Sequence, residues 1–174
     1  RLSLVGSEMC IRDRQKSVTV FCGSSKPKNN DFMIKEINKL SEIIIKNNYR
    51  MIYGGAKIGI MGMLAKKIIE KNGKVVGVIP EVLKKKEIVY NKLTEIHVVK
   101  NMHKRKKLMY ELGDFFIVLP GGVGTLEEFS EILTWKVLGI TEKKIFLINI
   151  DGFYDNILNQ FKVCLLYTSP SPRD

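Results

Sequence analysis

Arginine is scarce in this chain. Between Gln15 and Val163 it occurs only as Arg50 and Arg105, while lysine carries most of a formal charge of +11 over 174 residues. Where lysine otherwise supplies positive charge, an arginine marks a place for a planar, permanently charged fork, as against phosphate or a purine edge. Chance placement on a lysine-rich surface helix is the competing reading of Arg105. Histidine is limited to His97 and His103, and the cysteines Cys10, Cys22 and Cys164 lie far apart. Neither a disulfide framework nor a CxxC metal site can be built from them, so no metal is expected. No apolar run approaches the roughly 20 residues that span a bilayer, and no continuous apolar signal-peptide core stands near the N-terminus. No membrane partner and a cytoplasmic location are the expectations. Aromatic residues are not interleaved with the lysines as they are in stacking platforms, which argues against nucleic acid as a partner and makes a solvated lysine surface the simpler reading.

The two ends read differently from the rest. Residues 4–14 and 163–174 resemble translated sequencing-adapter read-through, so the native domain is expected over residues 15–163, with non-native ends at 1–14 and 164–174. At 45% hydrophobic, that length suits one core and one domain.

What is present is an alternation of short apolar runs and amphipathic stretches. Residues 17–22 form a β-branched run ending in Gly23-Ser24-Ser25, and an amphipathic stretch over 31–47 follows. The pattern predicts a second strand over 50–53, a glycine turn at Gly54-Gly55, a helix over 60–71, and a third strand over 74–79. A lysine-rich connection containing Glu87 leads to a fourth strand over 94–99 and a helix over 102–112. A fifth strand follows over 114–119, then a helix opening near Thr125, a sixth strand over 144–150 and a last helix. Strands alternating with helical crossovers predict a Rossmann-like, doubly wound parallel sheet with helices on both faces. The default strand order is 3-2-1-4-5-6.

The segment Leu119-Pro120-Gly121-Gly122-Val123-Gly124-Thr125-Leu126-Glu127-Glu128 joins an apolar strand to a helix through glycine. Free N–H groups and the helix dipole there suit a phosphate, and glycine permits close approach. No Gly-Lys-Ser/Thr follows, which excludes a Walker A loop. Glu127 stands where a dinucleotide fingerprint needs its third glycine, which argues against a nicotinamide dehydrogenase. The plain alternative is a capping box, with Thr125 as N-cap and Glu128 only satisfying a backbone donor. In a parallel sheet the turns at Ser24, at Gly54-Gly55 and at residues 120–125 share one rim with the start of the Arg105 helix. A nucleoside monophosphate or sugar phosphate is the natural ligand there. His103 reads as a helix-surface residue, His97 as packed in its strand, and Trp135 and the methionines as core. Asp114 reads as a partner for turn N–H groups, and Lys57 as a solvent lysine within reach of a phosphate.

Over residues 17–160 the chain resembles the LOG family of cytokinin riboside 5'-monophosphate phosphoribohydrolases, often mislabelled lysine decarboxylases. The hallmark Pro-Gly-Gly-x-Gly-Thr-x-x-Glu is met by Pro120, Gly121, Gly122, Gly124, Thr125 and Glu128, and Met-His-x-Arg-Lys by Met102, His103, Arg105 and Lys106. The resemblance implies hydrolysis of the N-glycosidic bond of AMP, with or without an N6 substituent, with no cofactor and in a homodimer. It implies Arg105 and Glu128 as the catalytic pair. It further implies nucleotide contacts at Glu87, Lys106, Gly122, Val123, Gly124, Thr125, Leu126, Glu127 and Thr134, with Gly121 completing the turn. Ala56, Val137 and Thr141 depart from residues common in the family, and a C-terminal helical segment usual there is expected to be missing after about residue 163. Two other classes stand beside this one. The first is a non-catalytic carrier of a nucleotide or of a phosphorylated pterin (the molybdenum cofactor), and the second is a DNA-processing Rossmann protein, which would show steep salt dependence on DNA.

Overall fold

The computed structural model describes residues 14–25, 31–84 and 89–168. Six strands alternate with helices. In chain order they are β1 (Ser17–Phe21), α1 (Asp31–Lys46), β2 (Arg50–Tyr53), α2 (Gly59–Glu70), β3 (Val75–Pro80), a single turn α3 (Glu81–Lys84), and β4 (Glu95–Val99). There follow α4 (Met102–Leu112), β5 (Phe115–Val118), α5 (Val123–Val137), β6 (Ile145–Leu147), a 3-10 turn (Ile150–Gly152) and α6 (Asp155–Thr168). All strand pairs are parallel. Among the described residues no helix is long and apolar enough to cross a membrane.

The doubly wound sheet is as expected, but its strand order is β4-β3-β2-β1-β5-β6, not 3-2-1-4-5-6. The fourth strand pairs with β3, from Val76↔Glu95 to Pro80↔Val99. The place beside β1 belongs to β5, from Val18↔Phe115 to Phe21↔Val118. The reason lies in the side chains. A central strand is buried on both faces and reads as continuously apolar, as Phe115-Phe116-Ile117-Val118 does. Glu95 and His97 of β4 pair with each other at 2.8 Å and belong at a solvated edge. His97 is therefore held at the edge by its contact with Glu95 and not simply packed.

The crossovers put α1 and α2 on one face, over Val18, Val20, Met51 and Val75. On the other face α4, α5 and α6 cover Phe21, Ile52, Val76, Val78, Phe116 and Val118. An aromatic column runs through this second layer. Phe116 stacks on Phe21 at 5.9 Å and on Tyr110 at 5.6 Å, and Tyr110 meets Trp135 edge-on at 4.7 Å. Thr19 on β1 donates to the Met109 carbonyl at 2.8 Å, pinning α4 beneath the sheet. At the other end of the strands, Asp114 accepts from the Ser17 N–H at 2.7 Å and Arg50 donates to the Ser17 hydroxyl at 3.1 Å. Both polar groups are thus structural.

Strand order reverses between the parallel neighbours β1 and β5, so the turns that follow them meet. The Gly23 N–H donates to the Pro120 carbonyl at 3.2 Å, and a Cβ on Gly23 would lie 3.1 Å from the Gly121 Cα. Only small residues allow that approach, and it sets the two turns side by side on one rim of the sheet. Phe116, fully buried at the centre of the aromatic column, is the packing element this arrangement leans on. Phe116→Ala is expected to cost about 3–5 kcal/mol of unfolding free energy, read as a lower midpoint in urea with the slope preserved.

Candidate active site

The helix α5 starts earlier than a Thr-x-x-Glu box requires. Its N-cap is Gly122, with no side-chain cap bond, and the Thr125 N–H already donates to the Gly122 carbonyl at 3.0 Å. Thr125 lies inside the helix, buried, with its hydroxyl under Gly121, where a Cβ would overlap it. The capping-box reading therefore fails, and Glu128 is free for another task. One turn along, Glu128 faces inward, its side chain 8% exposed, in an ion pair with Arg105 Nη1 at 3.4 Å.

Arg105 reaches that partner from the first turns of α4. Its Nε donates to the Val78 carbonyl at 3.1 Å, and its guanidinium lies where a Cβ on Gly54 would be. Gly54 thus makes room for arginine, with Met61 on the same cavity wall and the Met102 sulfur 3.9 Å from Nη1. Met61 packs against the core while lining the cavity, and Met102 is exposed, unlike the buried Met33, Met51 and Met109. Gly55, at φ +78°, packs against β3 and offers its carbonyl to the Tyr90 N–H at 3.0 Å. It shapes the turn without lining the cavity.

The cavity has a volume of about 390 Å³. Gly122, Gly124 and Thr125 form one wall, Ser24 and Gly54 another, and Arg105 with Glu128 the polar end. A Cβ built on Gly122 or Gly124 meets nothing within 4 Å, so these glycines border open space at the start of α5. Early helical N–H groups have no acceptor within the helix, and an anion placed here would meet them together with the dipole. Cys22, Ile58, Ile79 and Leu83 also line the cavity. Sequence reasoning missed them, although Cys22 immediately precedes the Gly23-Ser24 turn.

Electrostatics mark Glu128 out. Burial raises its carboxyl from 4.5 to about 7, against the pull of Arg105, with a smaller upward push from Glu127. Burial also raises the Cys22 thiol well above its ordinary value, and the nearby Glu128 adds to that effect. Cys22 therefore stays a neutral thiol.

Not every expected residue converges here. Lys106, Glu127 and Thr134 line a separate concavity of about 370 Å³ with Ser130, Glu131 and Trp135. There Lys106, only 10% exposed, pairs with Glu127 and with Glu131 at 3.0 Å. The Thr134 hydroxyl donates back to the Ser130 carbonyl at 2.7 Å. Leu126 packs against the core under α5, while Val123 is 83% exposed at the cavity mouth. Lys57 lies on a larger hollow, about 640 Å³, over the β4 edge, away from the ion pair. His103 is exposed on α4, and Glu87 lies outside the described residues.

The family described as "Possible lysine decarboxylase" matches residues 61–169. A cytokinin riboside 5'-monophosphate phosphoribohydrolase of Rhodococcoides fascians is 46% identical over 149 residues, covering 85% of this chain and 75% of that protein. The Arabidopsis thaliana phosphoribohydrolase LOG4 is 37% identical over 155 residues, covering 89% of this chain and 72% of the other. Among solved structures, the molybdenum cofactor carrier protein of Chlamydomonas reinhardtii superposes with a TM-score of 0.66 at 18% identity, over 86% of each chain. That likeness is one of fold. The relatives' identity and extent, together with the Pro120–Glu128 and Met102–Lys106 motifs, place this chain in the LOG family, that of the cytokinin riboside 5'-monophosphate phosphoribohydrolases.

Proposed function

We propose that this protein hydrolyses the N-glycosidic bond of adenosine 5'-monophosphate, with or without an N6 substituent, to the free base and D-ribose 5-phosphate. The observation that carries the reading is the buried Arg105–Glu128 pair facing a cavity walled by the glycine turn of α5. In this reading the 5'-phosphate rests on residues 122–125, which anchors the ribose and aligns its anomeric carbon. The C1'–N9 bond breaks with its electron pair leaving on the base, and positive charge builds on the sugar. The Glu128 carboxylate stabilises that charge and takes a proton from the water that adds to C1'. Arg105 offsets the negative charge on the departing purine, which then takes a proton from solvent, while Glu128 returns to solvent the proton it took. The net change is one water added across the C1'–N9 bond.

A carrier has no use for a carboxylate buried against arginine and titrating near neutrality, a pattern that belongs to acid–base work. That favours the enzyme over a molybdenum-cofactor carrier, whose support is the shared fold alone. A homodimer belongs to the same proposal. Val137, Leu138 and Ile140 leave an apolar strip exposed at the end of α5, with Leu138 66% exposed, and such a patch is a natural subunit contact.

Glu128→Gln is expected to lower kcat by about 10²–10⁴-fold, and Arg105→Lys, which loses the fork and the Val78 bond, by about 10²–10³-fold. Release of adenine and ribose 5-phosphate from AMP and from N6-isopentenyl-AMP is the measurement. A wild-type protein that binds these nucleotides and releases nothing would sink the reaction and restore the carrier.

Because the working form of Glu128 is the carboxylate, kcat/KM is expected to rise with pH through about 7. Stability runs the other way. Between 4.5 and about 7 the unfolded chain has lost the Glu128 proton while the folded chain keeps it, so raising pH favours unfolding. Relative to Glu128→Gln, the wild type should lose up to about 3 kcal/mol across that window and then level off. Urea midpoints of the two proteins against pH test this, and parallel curves would count against it.

Sedimentation of the wild type should give a dimer, and Leu138→Asp should give a monomer of unchanged circular dichroism. A monomeric wild type would remove the dimer from the proposal.

A further inference from the structure

We propose that Tyr154, at the entrance to α6, is a positioning residue that holds the phosphate-binding turn in place through the Leu119 carbonyl. In naming phosphate, this rests on the function proposed above. The hydrogen bonds between β1 and β5 are the starting point. The Leu119 N–H donates to the Phe21 carbonyl at 2.9 Å, and a regular parallel ladder would next bring the Gly23 N–H to the Leu119 carbonyl. Instead the Gly23 N–H reaches one residue further, to Pro120. This slip draws the two glycine turns together, and it takes the ladder donor away from a carbonyl buried with Leu119. A buried carbonyl without a donor is costly. The Tyr154 hydroxyl supplies one at 2.7 Å.

The chain around Tyr154 is built to deliver that hydroxyl. After β6 it folds back through left-handed residues Asp151 (φ +50°) and Gly152 (φ +69°). Asn149 accepts from the Tyr154 N–H at 2.8 Å and donates to Asp155 at 2.6 Å. The Tyr154 ring is wedged against Phe153 at 4.8 Å and lies 6.4 Å from Phe129, the residue after Glu128 on α5. Burial lifts its hydroxyl to about 12, which keeps it a donor throughout the working pH range. One side chain thus ties the strand end that launches residues 120–125 to the helix that carries Glu128.

The test compares wild type, Tyr154→Phe and Asn149→Ala. Asn149→Ala loosens the tyrosine without altering the buried ring. Amide exchange in the ligand-free protein and equilibrium binding of AMP, ribose 5-phosphate and adenosine are measured. Tyr154→Phe should speed exchange at residues 121–126 about tenfold and weaken AMP and ribose 5-phosphate about tenfold, leaving adenosine within about twofold. Its KM for AMP should rise more than its kcat falls. Unchanged exchange at the turn, or equal weakening of AMP and adenosine, would overturn the proposal and leave Tyr154 a core residue. Should Tyr154→Phe not fold, Asn149→Ala is read by the same two criteria. A wild type that binds AMP without cleaving it refutes the reaction alone, and the exchange and affinity readings still decide the role of Tyr154.

Discussion

Arg105 belongs to one helix and is held by three other elements. Its Nε is bound to the Val78 carbonyl on β3, its guanidinium fills the space that Gly54 leaves after β2, and its Nη1 faces Glu128 on α5. A guanidinium with its side chain only 11% exposed is stable only while such partners stay in place, because an unpaired buried charge costs about 3–5 kcal/mol. The positions of β3, the β2 turn and α5 around it are therefore coupled. Lysine could not substitute. It has a single terminal nitrogen and no Nε to bind one partner while the fork addresses another, which is why a chain so rich in lysine keeps an arginine at this position.

The pairing of α4 with α5 shows how two adjacent motif residues come to do different things. Neighbours on a helix diverge by about 100°, so Arg105 and Lys106 leave α4 in different directions, as do Glu127 and Glu128 on α5. The result is a double seam. Arg105 meets Glu128 on the cavity side, and Lys106 meets Glu127 and Glu131 on the outer side. The inner pair is desolvated enough to push a carboxyl to about 7. The outer carboxylates are more open to water, with Glu127 52% exposed. Same-sign neighbours in sequence thereby become one buried pair on the cavity and one clasp outside it.

Much of this was legible in the residues. Strand and helix alternation followed from apolar periodicity, and β2 and α4 have the bounds that periodicity assigned. The glycine turn and the isolated Arg105 pointed to the rim where the cavity lies. Strand order was not read correctly, although its signal was present. The alternation Glu95-Ile96-His97-Val98 marks an edge, and the uniform Phe115-Phe116-Ile117-Val118 marks a centre. Thr125 was misjudged because Gly122 can cap a helix without a side chain, which moves the helix start and turns Glu128 inward. Whether Lys106, Glu127 and Thr134 share a cavity with Arg105 depends on the angle between α4 and α5, which no local pattern records. Tyr154 had no signal at all, since its partner is a buried carbonyl that loses its ladder donor through a slip 35 residues earlier.

The glycines separate into two kinds, and the division explains why one turn can be both tightly packed and open to a ligand. Gly23, Gly54 and Gly121 are small because the protein itself occupies the space a Cβ would take: the facing turn, the guanidinium, the Thr125 hydroxyl. Gly122 and Gly124 are small while nothing of the protein lies within 4 Å. Both are exposed at the start of α5, so there a missing side chain leaves the helix end open to solvent. The first group builds a rigid rim by drawing β1, β2 and β5 together. The second leaves the first N–H groups of α5 uncovered on that rim, about one helical turn from Glu128.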